Sequence, residues 1–189
     1  MTTTSKRDRI LEATVALLIE QGLLTVQTRA VTERAGVGTG LLNHYFRWPD
    51  LRATAWAAIF AGVADTMRRD GETPPEAMRR FFTESFAPEA RPFWRLWIEA
   101  EGLALQDPAI AEAVTSARSQ LRDVLTEILT EGVSRADWAL DAPRATALRL
   151  EAMRDGLVGL LLGADADLSE GKAEAHLRDL FRRETGQEW

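Results

Sequence analysis

The chain has 189 residues, 46% of them hydrophobic, with 29 acidic and 23 basic side chains, a formal net charge of −6 and no cysteine. That length and apolar content suit a small module joined to a larger body with buried cores, and argue against disorder. Without cysteine, disulfides, iron–sulfur clusters and thiol chemistry are excluded. No apolar signal core opens the chain and no apolar run approaches the ~20 residues of a membrane span, so a cytoplasmic protein is expected.

Apolar residues recur at helical spacing throughout, and β-branched alternation never runs past a few residues, so the expected fold class is all-α. Ile10, Ala13, Leu17 and Leu18 share one face of a first helix over about 6–21, which Gly22 ends. Two short helices then follow within residues 28–47. Val31, Ala35, Val37, Leu42 and Tyr45 fall where two steeply crossed helices must touch, Thr32 is small enough to let them approach, and Gly36 stands where the turn needs a positive φ. Thr28 and Thr39 are expected to cap these helices with their hydroxyls. The face left outward on the second helix carries Gly40, Leu41, Asn43 and His44, as a helix entering a DNA groove requires.

The glycines at 36, 38 and 40 do not make a phosphate loop. No strand precedes them, the G-x-G-x-x-G spacing is broken, and no Lys-Ser or Lys-Thr follows. Charge is unevenly spread: residues 1–52 hold seven basic and five acidic side chains, the remainder sixteen and twenty-four. The positive excess therefore lies beside the turn, where phosphate would be met.

Ile10-Leu11-Glu12-Ala13, Glu20-Gln21-Gly22, Glu33-Arg34-Ala35-Gly36-Val37 and His44-Tyr45-Phe46 together resemble the N-terminal domain of the tetracycline-repressor (TetR) family. The Leu42-to-Phe46 variant looks closest to the BetI-like subgroup, typified by a choline-responsive repressor. The resemblance implies a homodimeric transcriptional regulator, usually a repressor, that leaves its operator when a small molecule occupies the C-terminal domain. Two departures stand out. Asn43 replaces a phosphate-contacting Tyr, and Trp48-Pro49-Asp50 replaces the usual Ser-Lys-Glu, so backbone contacts fall to Arg47, Arg52 and Tyr45.

Beyond the turn, Pro49 lies early in a helix of about 48–70 striped by Trp56, Phe60, Val63 and Met67. A helix of about 75–86 turns Met78, Phe81, Phe82 and Phe86 inward. Pro88 and Pro92 bracket a turn before an aromatic helix of about 92–105, with Phe93, Trp94, Leu96, Trp97, Ala100 and Leu103. Asp107-Pro108 opens a long helix expected to stop near 131 at Gly132, seamed by Ile110, Val114, Ala117, Leu121, Leu125 and Ile128. Asp141 and Pro143 repeat that start for about 143–162, and Ser169 caps a last helix of about 170–184.

The 143–162 helix is apolar on more than one face, which predicts a homodimer joined through it and the last helix; the alternative is that both complete the monomer core. The expected domains are therefore 1–47, a helix-turn-helix DNA-binding module, and 48–189, an effector-binding and dimerisation body of a roughly nine-helix chain.

The expected DNA contacts are Thr28, Arg29, Thr39, Gly40, Leu41, Asn43, His44, Tyr45 and Arg47. Asn43 suits an adenine edge or a phosphate, Leu41 a thymine methyl, and Arg29 guanine or phosphate. His44 could instead pack inside the helix pair. Phe60, Trp94, Trp97, Glu101 and Arg154 are the expected ligand contacts, since aromatics with few polar groups suit an organic, even cationic, effector; aromatics at helical spacing are also what a plain core contains. A helical-bundle enzyme finds little support. Glu-x-x-His pairs are absent, Glu99 and Glu101 point to different helix faces, and no catalytic, metal or cofactor residues are expected. A protein-interaction adaptor would leave the positioned turn unexplained.

Overall fold

Local chemistry sets most helix ends. Ser5 accepts the Asp8 N–H while the Asp8 carboxylate bonds back to Ser5, a reciprocal cap that opens helix α1, Lys6–Gln21; Gly22, at φ 92, closes it. The computed structural model describes residues 5–186. Among these, α1 is followed by α2 (Thr28–Ala35), α3 (Thr39–Tyr45), α4 (Trp48–Thr66), α5 (Pro74–Ser85), a 3-10 turn at Pro88–Ala90, α6 (Arg91–Ala104), α7 (Pro108–Ser134), α8 (Pro143–Leu162) and α9 (Glu170–Thr185). The described residues are all helix and turn, as the periodicity required.

Two compact units result. The first joins Met1–Gly62 to Pro92–Ala117 and so contains α1 to α3, most of α4, α6 and the start of α7. Its interior buries Ile10, Leu17, Leu18, Val31, Leu42, Leu51, Trp56, Leu96 and Ile110. Asp107 caps α7, accepting the Ala109 N–H at 3.1 Å, and also pairs with Arg52 at 3.2 Å.

The second unit joins Val63–Arg91 to Arg118–Trp189. Here α9 packs on α5 and α8. Phe181 is the hub: its ring centroid lies 5.5 Å from Phe82 and 5.3 Å, edge-on, from Trp138. Leu125, Ile128, Leu150 and Leu177 are also buried in this unit.

Several expected helix ends move. Helix α4 stops at Thr66 rather than near 70, because Arg80 donates to the Thr66 and Met67 carbonyls at 2.9 and 2.8 Å and holds both Glu72 oxygens, which fixes the chain in a turn through Gly71 at φ 76. Gly132 does not end α7; the helix runs on to Ser134. The N-cap of α8 is Ala142, without a side-chain bond, so Asp141 does not repeat the role of Asp107. Ser169 does cap α9, accepting the Lys172 N–H at 3.3 Å.

Candidate nucleic-acid interface and aromatic cluster

The crossing of α2 and α3 is built from fully or nearly buried Val31, Thr32, Ala35 and Leu42, with Gly36 in the left-handed conformation at φ 63 between them. Thr32 donates its hydroxyl to the Arg29 carbonyl at 2.9 Å, which uses up its polarity inside the contact. From the other side, an Arg9 guanidinium donates to the Ala35 carbonyl, satisfying an orphan acceptor at the end of α2. Arg34 adds a two-pronged pair with Glu20 of α1, at 2.7 and 2.8 Å. That pairing raises the Arg34 pKa and lowers that of Glu20, each mainly through the hydrogen bond between them. Both ends of α1, through Arg9 and Glu20, thus hold the C-terminal end of α2, next to the turn into α3.

Two expected caps are not made. Both threonines are the first helical residues rather than caps; the N-caps are Gln27 and Gly38, and neither side chain closes its helix. Tyr45 does not take its expected place in the contact between the two helices, being 39% exposed, while Phe46 takes the inward position. The reason is the break in register: α3 ends at Tyr45 and Phe46 adopts an extended φ of −142, which turns its ring inward.

Leu42 anchors α3, and the outward positions Thr39, Gly40, Asn43, His44 and Tyr45 are exposed with Leu41 half-buried beside them. His44 is on this exposed face, not inside the helix pair, and its ring meets Tyr45 edge-on at 5.1 Å. Arg29 and Arg47 are exposed and Thr28 half-buried. Arg29 is joined to Glu33 one turn on at 2.8 Å, a hydrogen bond that raises its pKa; a phosphate would compete with that carboxylate. Arg52, expected on the backbone-contacting side, is instead largely buried and committed to Asp107. Arg7 lies over the Phe46 ring at 5.0 Å, which places a cation close to the end of α3.

A second constellation lies deeper in the same unit. Trp56, Phe60 and Trp97 form a three-ring cluster with centroids 4.4, 5.4 and 5.0 Å apart, and the Trp97 indole donates to Glu101 at 3.1 Å. Trp94 is buried on α6, one turn before Trp97. Trp56 was not among the expected ligand residues, although its place four residues before Phe60 stacks the two on one helix face. Its indole donates to the Leu96 carbonyl at 3.0 Å, bonding α4 to α6. Arg154 belongs to the second unit, where it pairs with Asp155 at 2.9 Å and lies 6.0 Å from the Phe81 ring centre.

Among the described residues no group of three or more His, Asp or Glu is arranged to hold a metal ion, and no helix is long and apolar enough to cross a membrane.

Residues 10–47 match the model of bacterial regulatory proteins of the tetR family, and residues 74–186 match that of the C-terminal domain of BetI-type transcriptional repressors. The HTH-type transcriptional regulator BetI of Paraburkholderia phymatum is 28% identical over 163 residues, covering 80% of this chain and 79% of that protein. A TetR transcription regulator from Haloarcula marismortui has the same fold, with a TM-score of 0.77 at 16% identity over 95% of this chain and 98% of the other. So does a transcriptional regulator from Saccharomonospora viridis, solved in complex with choline, with a TM-score of 0.76 at 19% identity over 95% and 96%.

Proposed function

Because the chain belongs to the TetR family of transcriptional regulators, with a C-terminal part of the BetI type, we propose that it is a homodimeric repressor that binds an inverted-repeat operator and is released by a small organic cation. The observation that carries the DNA side is the exposed band of Thr39, Gly40, Asn43, His44 and Tyr45 on a helix anchored by buried Leu42. Asn43 and Leu41 read bases; Thr28, Arg29, Tyr45 and Arg47 meet phosphate, and Thr39, Gly40 and His44 complete the surface. The reading module is residues 1–47, and residues 48–189 carry effector binding and dimerisation. No catalytic step is assigned, and the site of action is the cytoplasm.

Support for the dimer comes from α8. Leu148 and Leu160 are each 49% exposed, and Met153 and Leu162 are exposed too, on a helix that also bares Ala152, Gly156 and Gly159. An apolar strip of that length is covered in water, and a two-fold copy of α8 and α9 covers it with its own equivalent. Two readers then enter successive major grooves only when separated by ~34–36 Å or a multiple.

The effector reading rests on the rings of Trp56, Phe60 and Trp97 beside the Glu101 carboxylate, a chemistry that favours a quaternary ammonium, and on the choline held by the Saccharomonospora protein. Trp94, buried one turn before Trp97, completes the proposed set. Helix α4 carries residues of both units, passing from one to the other at Gly62–Val63, so a ligand that prefers one tilt of α4 shifts the reader population with it. A gel-shift titration tests this: the chain retards a specific duplex in the presence of random competitor, and choline abolishes the shift. Retardation that random duplex removes as readily as specific duplex would overturn the reading.

A further inference from the structure

Where α1 ends, the Ile19 carbonyl and the Leu23 N–H, partners had the helix continued by one turn, are both left without an intrahelical bond. Helix α6 takes up both. Arg95 donates Nη2 to the Ile19 carbonyl at 3.2 Å, and Glu99, one turn on, accepts the Leu23 N–H at 2.6 Å. We propose that this Arg95/Glu99 pair is a latch that sets the angle of the DNA reader, with Glu99 a positioning residue for operator recognition. The proposal rests on the dimeric DNA-binding reading above.

Three features make the latch more than an incidental surface contact. The Glu99 carboxylate is only 18% exposed, and an ionised acceptor on a backbone N–H is among the stronger hydrogen bonds. Gly22 permits its approach: at φ 92, a Cβ there would lie 2.9 Å from both Glu99 oxygens and 3.1 Å from Arg95 Nε. The third is what else α6 holds. Trp97, two residues before Glu99, belongs to the ring cluster with Trp56 and Phe60, and the Leu96 carbonyl accepts the Trp56 indole N–H. One rigid helix thus grips α4 on one side and the end of α1 on the other. The reader is joined to the rings by hydrogen bonds through α6 as well as by the continuous chain of α4, and the direction in which α1 to α3 point is fixed at two places.

A head fixed at two places tolerates only one half-site separation; a head fixed at one can swivel to fit neighbouring ones. The test measures dissociation constants of the purified full chain for its selected operator, and for the same operator with one base pair inserted or removed at its centre. Glu99→Ala and Arg95→Met should lower the discrimination between these duplexes by about fivefold. Glu99→Gln, whose amide oxygen still accepts the Leu23 N–H, should keep most of it. Circular dichroism on each variant separates this from unfolding, since loss of stability alone weakens all three duplexes in proportion and leaves their ratio unchanged. Folded Glu99→Ala and Arg95→Met proteins with wild-type discrimination would overturn the latch while leaving the regulator reading intact. A wild-type chain that binds no duplex would overturn both.

Discussion

The indole of Trp138 lies directly over the α-carbon of Gly132: a Cβ placed there would stand 2.0 Å from Trp138 Cζ2 and 2.2 Å from Cε2. The ring cannot retreat, because its N–H bonds the Leu129 carbonyl at 2.9 Å and its edge meets Phe181. Gly132→Ala therefore sets a helix-propensity gain of about 1 kcal/mol against overpacking of about 1–3 kcal/mol. With contact this close the second effect wins. Denaturant unfolding should show a lower midpoint for the variant, and a raised midpoint would contradict the packing described.

Acid should weaken the α4–α5 turn. The Arg80 hydrogen bonds hold the Glu72 carboxyl at a pKa of about 2, below its ordinary 4.5. Its folded pKa is depressed, so its stabilisation is complete above about 4.5 and is lost as pH falls toward 2, a contribution on the order of 2–3 kcal/mol. Buried Glu151 has the opposite sign: burial raises its pKa against the lowering by Arg122, 2.7 Å away, so its effect favours the fold at low pH and fades as pH rises. Unfolding midpoints of wild type and Glu72→Gln should differ most near neutral pH and draw together as pH falls from about 4.5 toward 2. A pH-independent difference would assign the Glu72 contribution to shape rather than charge.

Much of the reader was legible because its determinants are close in sequence. Val31, Leu42 and Gly36 are set by helical spacing and one turn, and they occupy the predicted places. The misplacements share a different cause. Thr28 and Thr39 look like caps by type, yet the helix boundary falls one residue earlier, and Phe46 takes the inward place expected of Tyr45 because α3 ends between them. Gly132 resembles a stop until Trp138 supplies a reason for a glycine inside the helix. Arg52, Arg80 and Glu99 were not legible as clamps, since each acts on a backbone or carboxylate group distant in sequence or outside any periodic pattern.

If α8 meets its own copy, a charge on its bared face should separate the protomers without unfolding them. Leu160→Arg is expected to halve the mass measured by sedimentation equilibrium while far-ultraviolet circular dichroism stays unchanged. A variant that remains dimeric would move the interface elsewhere.

The ring cluster makes a separate forecast. Trp97→Ala removes one aromatic face and the donor to Glu101, and should weaken choline binding by calorimetry about 3- to 30-fold; Trp97→Phe should recover part of it. Undiminished affinity in Trp97→Ala would place the effector away from these rings.

Arg47→Ala should weaken binding to every duplex alike and flatten the slope of log affinity against log salt by about 1, the mark of one lost phosphate contact. A change confined to particular sequences would make Arg47 a base reader instead.

The most direct test of the whole account is selection of bound sequences from a random duplex pool by the wild-type chain. Paired readers on a two-fold axis predict an enriched inverted repeat whose half-sites are centred about 10–10.5 base pairs apart or a multiple of that. Enrichment of a single unpaired site, or of nothing above the starting pool, would contradict it.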